Sequence, residues 1–141
     1  MKRSYPLWFI LLMLLMSCSG AKQSKSDTLF GHAWQLEYID IAVSSVDLLF
    51  PDKKPEITFE KESGKVTGNS GCNGYNAPYS IDETGIQFGE PGPSTLMYCG
   101  EGENHFRKFM RAVEQWNLTA DGKLELLTSG AVVLRFKKTT S

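Results

Sequence analysis

The chain has 141 residues, with 15 Lys+Arg against 16 Asp+Glu, two histidines, three cysteines and 41% apolar content. That length suits one compact domain, and the mix of apolar and charged residues excludes a disordered or collagen-like chain. Near-neutral charge argues against a nucleic-acid partner, which calls for a basic excess or stripe.

Lys2 and Arg3 make a short positive start, and Leu7 to Met16 is an unbroken apolar run. A membrane-spanning helix needs about 20 apolar residues, so this run is too short to cross and fits the h-region of a secretory signal. Leu15-Met16-Ser17-Cys18 then resembles a bacterial lipobox. In proteins of that class the cysteine thiol receives a diacylglycerol, the chain is cut just before the cysteine, and the new amino group is acylated. An ordinary signal peptide ending in a chance cysteine is the alternative.

The lipobox reading makes residues 1–17 a lipoprotein signal peptide and residues 18–28 a lipidated Cys18 with a flexible tether, leaving 29–141 as the folded domain. Cleavage would remove Lys2 and Arg3 and no acid, taking the 15 basic residues to 13 against 16 acidic ones. One acyl chain binds a bilayer only marginally, whereas two or three hold firmly. The membrane is thus an expected partner through Cys18. Ser19 directly after it, rather than aspartate, resembles lipoproteins of the outer membrane facing the periplasm.

From Leu29 onward, short runs alternate apolar and polar residues, the period of a half-buried strand. Trp34, Leu36 and Tyr38 alternate with Gln35, Glu37 and Ile39 in the first run. After the turn-rich Pro51-Asp52-Lys53-Lys54-Pro55, Ile57 and Phe59 alternate with Thr58 and Glu60. Ser63-Gly64 then turns the chain into Lys65 to Gly68, a hairpin. Tyr79 and Ile81 lead through Asp82-Glu83-Thr84-Gly85 to Ile86 and Phe88, a second hairpin.

Between Glu101 and Gln115 the period changes: Phe106, Phe109, Met110 and Val113 fall at i, i+3, i+4 and i+7, opposite Arg107, Lys108, Arg111 and Glu114. This predicts an amphipathic helix with one buried stripe. Glu101 and Glu103 suit its N-terminal end. Leu124 and Leu126 resume the alternation, and Thr128-Ser129-Gly130 turns the chain into a last strand, Ala131 to Lys138. The reading is an α+β domain, a mainly antiparallel curved β-sheet of about seven strands packed against one amphipathic α-helix. Trp34, Phe59, Phe106, Phe109, Leu126 and Phe136 are the expected core.

With Cys18 assigned to lipid, Cys72 and Cys99 remain as a pair, and in an oxidising compartment an even remainder most simply means a disulfide. Such a bridge contributes roughly 3–4 kcal/mol for a loop of this length. A metal site would want more ligands than these cysteines supply, since neither belongs to a CxxC or has a histidine at ligand spacing. A catalytic cysteine with His105 as base lacks further support and would lose its nucleophile to the disulfide.

Gly68-Asn69-Ser70-Gly71-Cys72-Asn73-Gly74-Tyr75-Asn76 is the most unusual stretch. It lacks the lysine of a phosphate-binding loop. Its Gly and Asn residues suit a sharp reversal or bulged strand. Here the chain becomes recognisable. Pro55-x-Ile57-x-Phe59, the Gly68 to Tyr75 stretch, Tyr79 and Ser94-Thr95-x-Met97-x-Cys99 together resemble the META domain of HslJ-like proteins. So do Trp34-x-Leu36, Glu103-x-x-Phe106 and Leu124-x-Leu126. Tyr98 departs from the small residue common in that position.

The resemblance implies a compact, mainly antiparallel α+β fold and an envelope setting linked to heat stress and novobiocin resistance. It implies no catalytic residues, metal or cofactor. Gly71, Cys72, Asn73, Tyr75, Thr95, Met97 and Cys99 are its signature positions.

The resulting functional expectation is a non-enzymatic envelope lipoprotein with a stress-response or interaction role, its partner an envelope protein or small ligand. A carrier of a small apolar ligand between helix and sheet is one alternative. A hydrolase using Asp82, Glu83, Glu101 and Glu103 is another, although two of these sit in a turn and two in the first turn of a helix, where solvated charge is expected. No HExxH or GxSxG motif is present. Asn117-Leu118-Thr119 matches a glycosylation pattern by coincidence at a helix-to-strand junction.

Overall fold

The computed structural model describes residues 24–42, 45–95 and 97–139. Cys18 and the signal segment lie outside them.

Among the described residues there are eight strands: β1 Ala33–Ile39, β2 Glu56–Glu60, β3 Lys65–Asn69, β4 Gly74–Ile81, β5 Ile86–Phe88, β6 Gln115–Leu118, β7 Leu124–Thr128 and β8 Ala131–Thr139. They form one sheet in the order β5-β4-β3-β2-β1-β8-β7-β6, with every pairing antiparallel. The first and last strands meet at its centre, Ala33 opposite Thr139. The sheet curls until its edges touch. Gly85 bridges Gln115, and the Ile86 and Trp116 N–H groups donate to Glu114 and Thr84 carbonyls at 3.1 and 3.0 Å. Closure of this kind removes the exposed edge that an open sheet would offer for aggregation.

Among the described residues the α-helices are α1 Val46–Leu49 and α2 Glu101–Ala112. Ser45 caps α1, its Oγ accepting from the Leu48 N–H at 3.3 Å. The long helix buries Phe106 and Met110 against the inside of the sheet. The Phe106 ring meets Tyr75 edge-on at 5.7 Å and Phe136 at 6.4 Å, and such aromatic pairs add about 0.5–1.5 kcal/mol beyond area burial. Trp34, Leu36, Ile57, Leu124, Leu126 and Leu134 complete the wall around them, all with no exposed surface. The Trp34 indole N–H, buried there, is satisfied by the Leu29 carbonyl at 3.0 Å.

The structure corrects the sequence reading at several points. There are eight strands: β6 was hidden at the supposed helix-to-strand junction, and Asn117 lies within it. The long helix ends at Ala112, so Val113 contributes to the core from just beyond it. Phe109 is only partly buried, because the buried face of α2 carries Gly102, Glu103, Phe106 and Met110 instead. In β1 a bulge between Leu36 and Tyr38 resets the alternation, turning Tyr38 outward and Ile39 inward. A 3₁₀ turn, Lys25–Leu29, overlaps the end of the stretch read as tether, its Asp27 carboxylate 3.0 Å from Lys61 Nζ.

Candidate functional site

The glycine-rich stretch spans the end of β3, the loop at residues 70–73 and the start of β4. Gly68 and Gly71 have φ of +149° and +110°, a conformation L side chains rarely adopt. At Gly68 the neighbouring strand also presses in: a Cβ there would lie 1.9 Å from the Glu56 carbonyl oxygen. The loop is closed by local bonds, with Ser70 N–H donating to Asn73 O at 2.9 Å and Gly71 N–H to Asn69 Oδ1 at 2.9 Å.

This reversal carries Cys72 to Cys99, and the two form a disulfide with Cα atoms 6.0 Å apart. Asn73 makes the second tie. Its Nδ2 donates to the Met97 carbonyl at 2.7 Å while its Oδ1 accepts the Met97 N–H at 2.9 Å. The same Nδ2 also donates to Glu103 Oε2 at 2.6 Å. On the other carboxylate oxygen, Oε1 accepts from Ser70 Oγ and from Arg107 Nε and Nη2, the latter two at 3.4 Å. The loop, the segment before α2 and the first turns of α2 are thus joined by one covalent bond and one buried polar network.

Glu103 is 8% exposed, contrary to its reading as solvated charge. Helix geometry places it one turn before Phe106, on the face turned toward the sheet. Burial pushes its carboxyl upward, but hydrogen bonds from Ser70 and Asn73 and the Arg107 guanidinium outweigh this and hold it below its ordinary value. It is therefore ionised at neutral pH, with both oxygens committed. The other carboxylates behave as expected. Asp82 and Glu83 are exposed in the β4–β5 turn, where Asp82 Oδ1 accepts the Thr84 and Gly85 N–H groups at 3.0 and 2.6 Å. Glu101 is exposed and takes the Tyr98 hydroxyl at 3.0 Å.

Phe50, just after α1, braces the cluster from outside. A Cβ on Gly71 would lie 2.5 Å from its ring, and one on Gly102 would lie 2.6 Å from the Leu49 carbonyl and 3.0 Å from the same ring. A cleft of about 230 Å³ remains among Phe50, Gly71, Cys72, Met97, Cys99 and Glu103. Met97, which lines it, and the adjacent Tyr98 are 64% and 78% exposed.

Among the expected signature positions, the structure brings together Gly71, Cys72, Asn73, Met97 and Cys99. Met97 joins the polar network through its backbone. Thr95 is exposed, and Tyr75 lies behind the cluster in the core. The sequence reading missed Ser70, Phe50, Gly102 and Arg107. The spacing Glu103-x-x-x-Arg107, an i,i+4 pair, was the one available signal. With Cys72 and Cys99 joined, neither is a free nucleophile. Among the described residues no group of three His, Cys, Asp or Glu is placed to hold a metal ion. Phe106, Met110, Trp34 and Phe136 are buried where α2 packs on the sheet.

Residues 27–140 match the META domain family. The chain belongs to that family. Two solved structures share its fold. One, an NMR structure of a protein from Burkholderia xenovorans, has a TM-score of 0.60 at 24% identity, covering 82% of this chain and 87% of its own. Another NMR structure has a TM-score of 0.58 at 20% identity, covering 79% of this META-domain chain and 92% of its own. No curated protein matches the chain.

Proposed function

We propose that this META-domain protein is a non-enzymatic binding module of the cell envelope, held by lipid on Cys18 at the periplasmic face of the outer membrane and acting in stress response. The observation that carries the binding role is the direction in which the site's groups are spent. Its polar atoms close on one another inside, while Met97 and Tyr98 stand outward on a backbone pinned by Asn73 and the disulfide. A pinned apolar surface loses little entropy on docking, the general advantage of preorganisation. Glu103, ionised and fully engaged, is a poor general acid at neutral pH. The disulfide suits an oxidising compartment, the one a lipobox addresses.

Photo-crosslinking from position 98 in the anchored protein, followed by mass spectrometry, tests the surface. Discrete adducts lost on Met97→Ser support it, whereas adducts no different from those made at Lys65 would overturn it. Metabolic labelling with a palmitate analogue should mark the wild type and not Cys18→Ala. Turnover of ester, peptide, glycoside or phosphate substrates by the purified domain would refute the non-enzymatic reading.

A further inference from the structure

A second feature lies on the opposite side of Arg107. After β5 the chain runs back along β4, with Gly89 and Gly92 N–H groups donating to the Pro78 and Asn76 carbonyls at 2.8 and 2.7 Å. This holds Pro91-Gly92-Pro93-Ser94 as a wall facing α2. Between that wall and the helix lies a groove of about 540 Å³ lined by Pro91, Gly92, Pro93, Ser94, Arg107 and Arg111. The two arginines stand one helical turn apart and so share a face.

Arg107 is fixed and incompletely used. Its Nη2 donates to the Gly74 carbonyl at 3.0 Å and Ser94 Oγ at 3.3 Å, and its Nε side meets Glu103. No described residue accepts from its Nη1. Arg111 meets Glu90 only at 3.9 Å, with both side chains largely in solvent, and an exposed pair of that kind contributes little. Behind the arginines stands Tyr75, 2% exposed, its ring centroid 5.8 Å from the Arg107 guanidinium carbon. Its buried hydroxyl has no hydrogen-bond partner among the described residues, a condition that native structures seldom leave unanswered.

We propose that this groove is an oxyanion site, taking a phosphate or carboxylate on Arg107, Arg111 and Ser94, with the body of the ligand lying on the faces of Pro91 and Pro93. Two guanidiniums on one helix face give the forked donors that suit such groups, and the Ser94 hydroxyl, which donates to the Thr95 carbonyl at 3.3 Å, turns that hydrogen to the bound anion. The prolines favour an anion carried on an apolar or ring-bearing body over a bare ion. The groove uses neither Met97 nor Tyr98, so this inference goes beyond the docking surface above and fails separately from it.

The test is NMR titration of the disulfide-bonded domain with inorganic phosphate and with phenyl phosphate. Saturable shifts at Gly92, Ser94 and the arginine side-chain N–H groups are expected, with phenyl phosphate the tighter probe. Arg111→Ala should weaken binding by about tenfold or more. Lys108→Ala, which removes the same charge from the same helix outside the groove, should leave it unchanged. Vesicles of phosphatidylglycerol distinguish a lipid phosphate from a free one: sedimentation with them that depends on Arg111 identifies a headgroup as the source, and its absence alongside phenyl phosphate binding identifies a soluble ligand. Absence of saturable binding by either probe, or an equal loss in Arg111→Ala and Lys108→Ala, would overturn the proposal.

Discussion

Asn73 grips the backbone of Met97 from both directions, donating to its carbonyl at 2.7 Å and accepting its N–H at 2.9 Å. A side-chain amide is the right shape for this, since it carries donor and acceptor side by side as a peptide does. The segment entering α2 is thereby paired as if to a neighbouring strand, although no strand is there.

The grip makes Asn73 hard to replace. Asn73→Ala removes three hydrogen bonds and leaves Glu103 Oε2 buried without its partner, so a loss of about 2–4 kcal/mol is expected. Asn73→Asp should be at least as damaging, because it exchanges a donor for a second negative charge beside Glu103. Urea unfolding with an unchanged denaturant slope measures the loss. A midpoint within error of wild type would show that the amide is not structural.

Acid should unfold the domain partly through Glu103. Its folded pKa is held below the ordinary carboxylate value of about 4.3. Its contribution is therefore complete above that value and is lost as pH falls through the lower folded one. Glu103→Gln cannot ionise and should be less stable at neutral pH by about 1–3 kcal/mol. Its stability should also fall less steeply below pH ~4. Parallel acid limbs for the two proteins would contradict this.

Gly71 and Phe50 should behave as a coupled pair. Gly71→Ala suffers both its φ of +110° and a Cβ 2.5 Å from the Phe50 ring, for an expected loss of about 2–4 kcal/mol. Phe50→Leu shrinks the obstacle and leaves the backbone strain. The double variant should then lose less than the two single losses together, by about 1 kcal/mol. Strict additivity in a double-mutant cycle would place the whole cost in the backbone.

Removing the disulfide, as Cys72→Ser with Cys99→Ser, should lower stability by roughly 3–4 kcal/mol, the chain-entropy value for a closed loop of this length. The double variant should still fold, since Asn73 and Glu103 tie the same segments. Reductant should bring the wild type to the same midpoint. A wild-type midpoint indifferent to reductant would show the bridge to be unformed in the isolated protein.

Much of the fold was legible because alternation is a local signal. Ile57 and Phe59, or Leu124 and Leu126, report their buried faces whatever surrounds them. β6 was not legible, since Gln115–Leu118 is short and gains its place by pairing with β7. The inversion at Tyr38 was hidden for a similar reason. A bulge is decided by the partner strand β8, and the periodicity of β1 alone cannot carry it.

The amino-acid sequence on its own determined the class of fold and the membership in the META family, because periodicity and motif spacing are properties of the chain. The tertiary structure decided what the signature residues do. It turned Glu103 inward to Ser70, Asn73 and Arg107, used Met97 for its backbone, and set Phe50 against Gly71 and Gly102. Those outcomes depend on which segments are pressed together, and a buried charge becomes tolerable only when residues distant in the chain arrive to satisfy it.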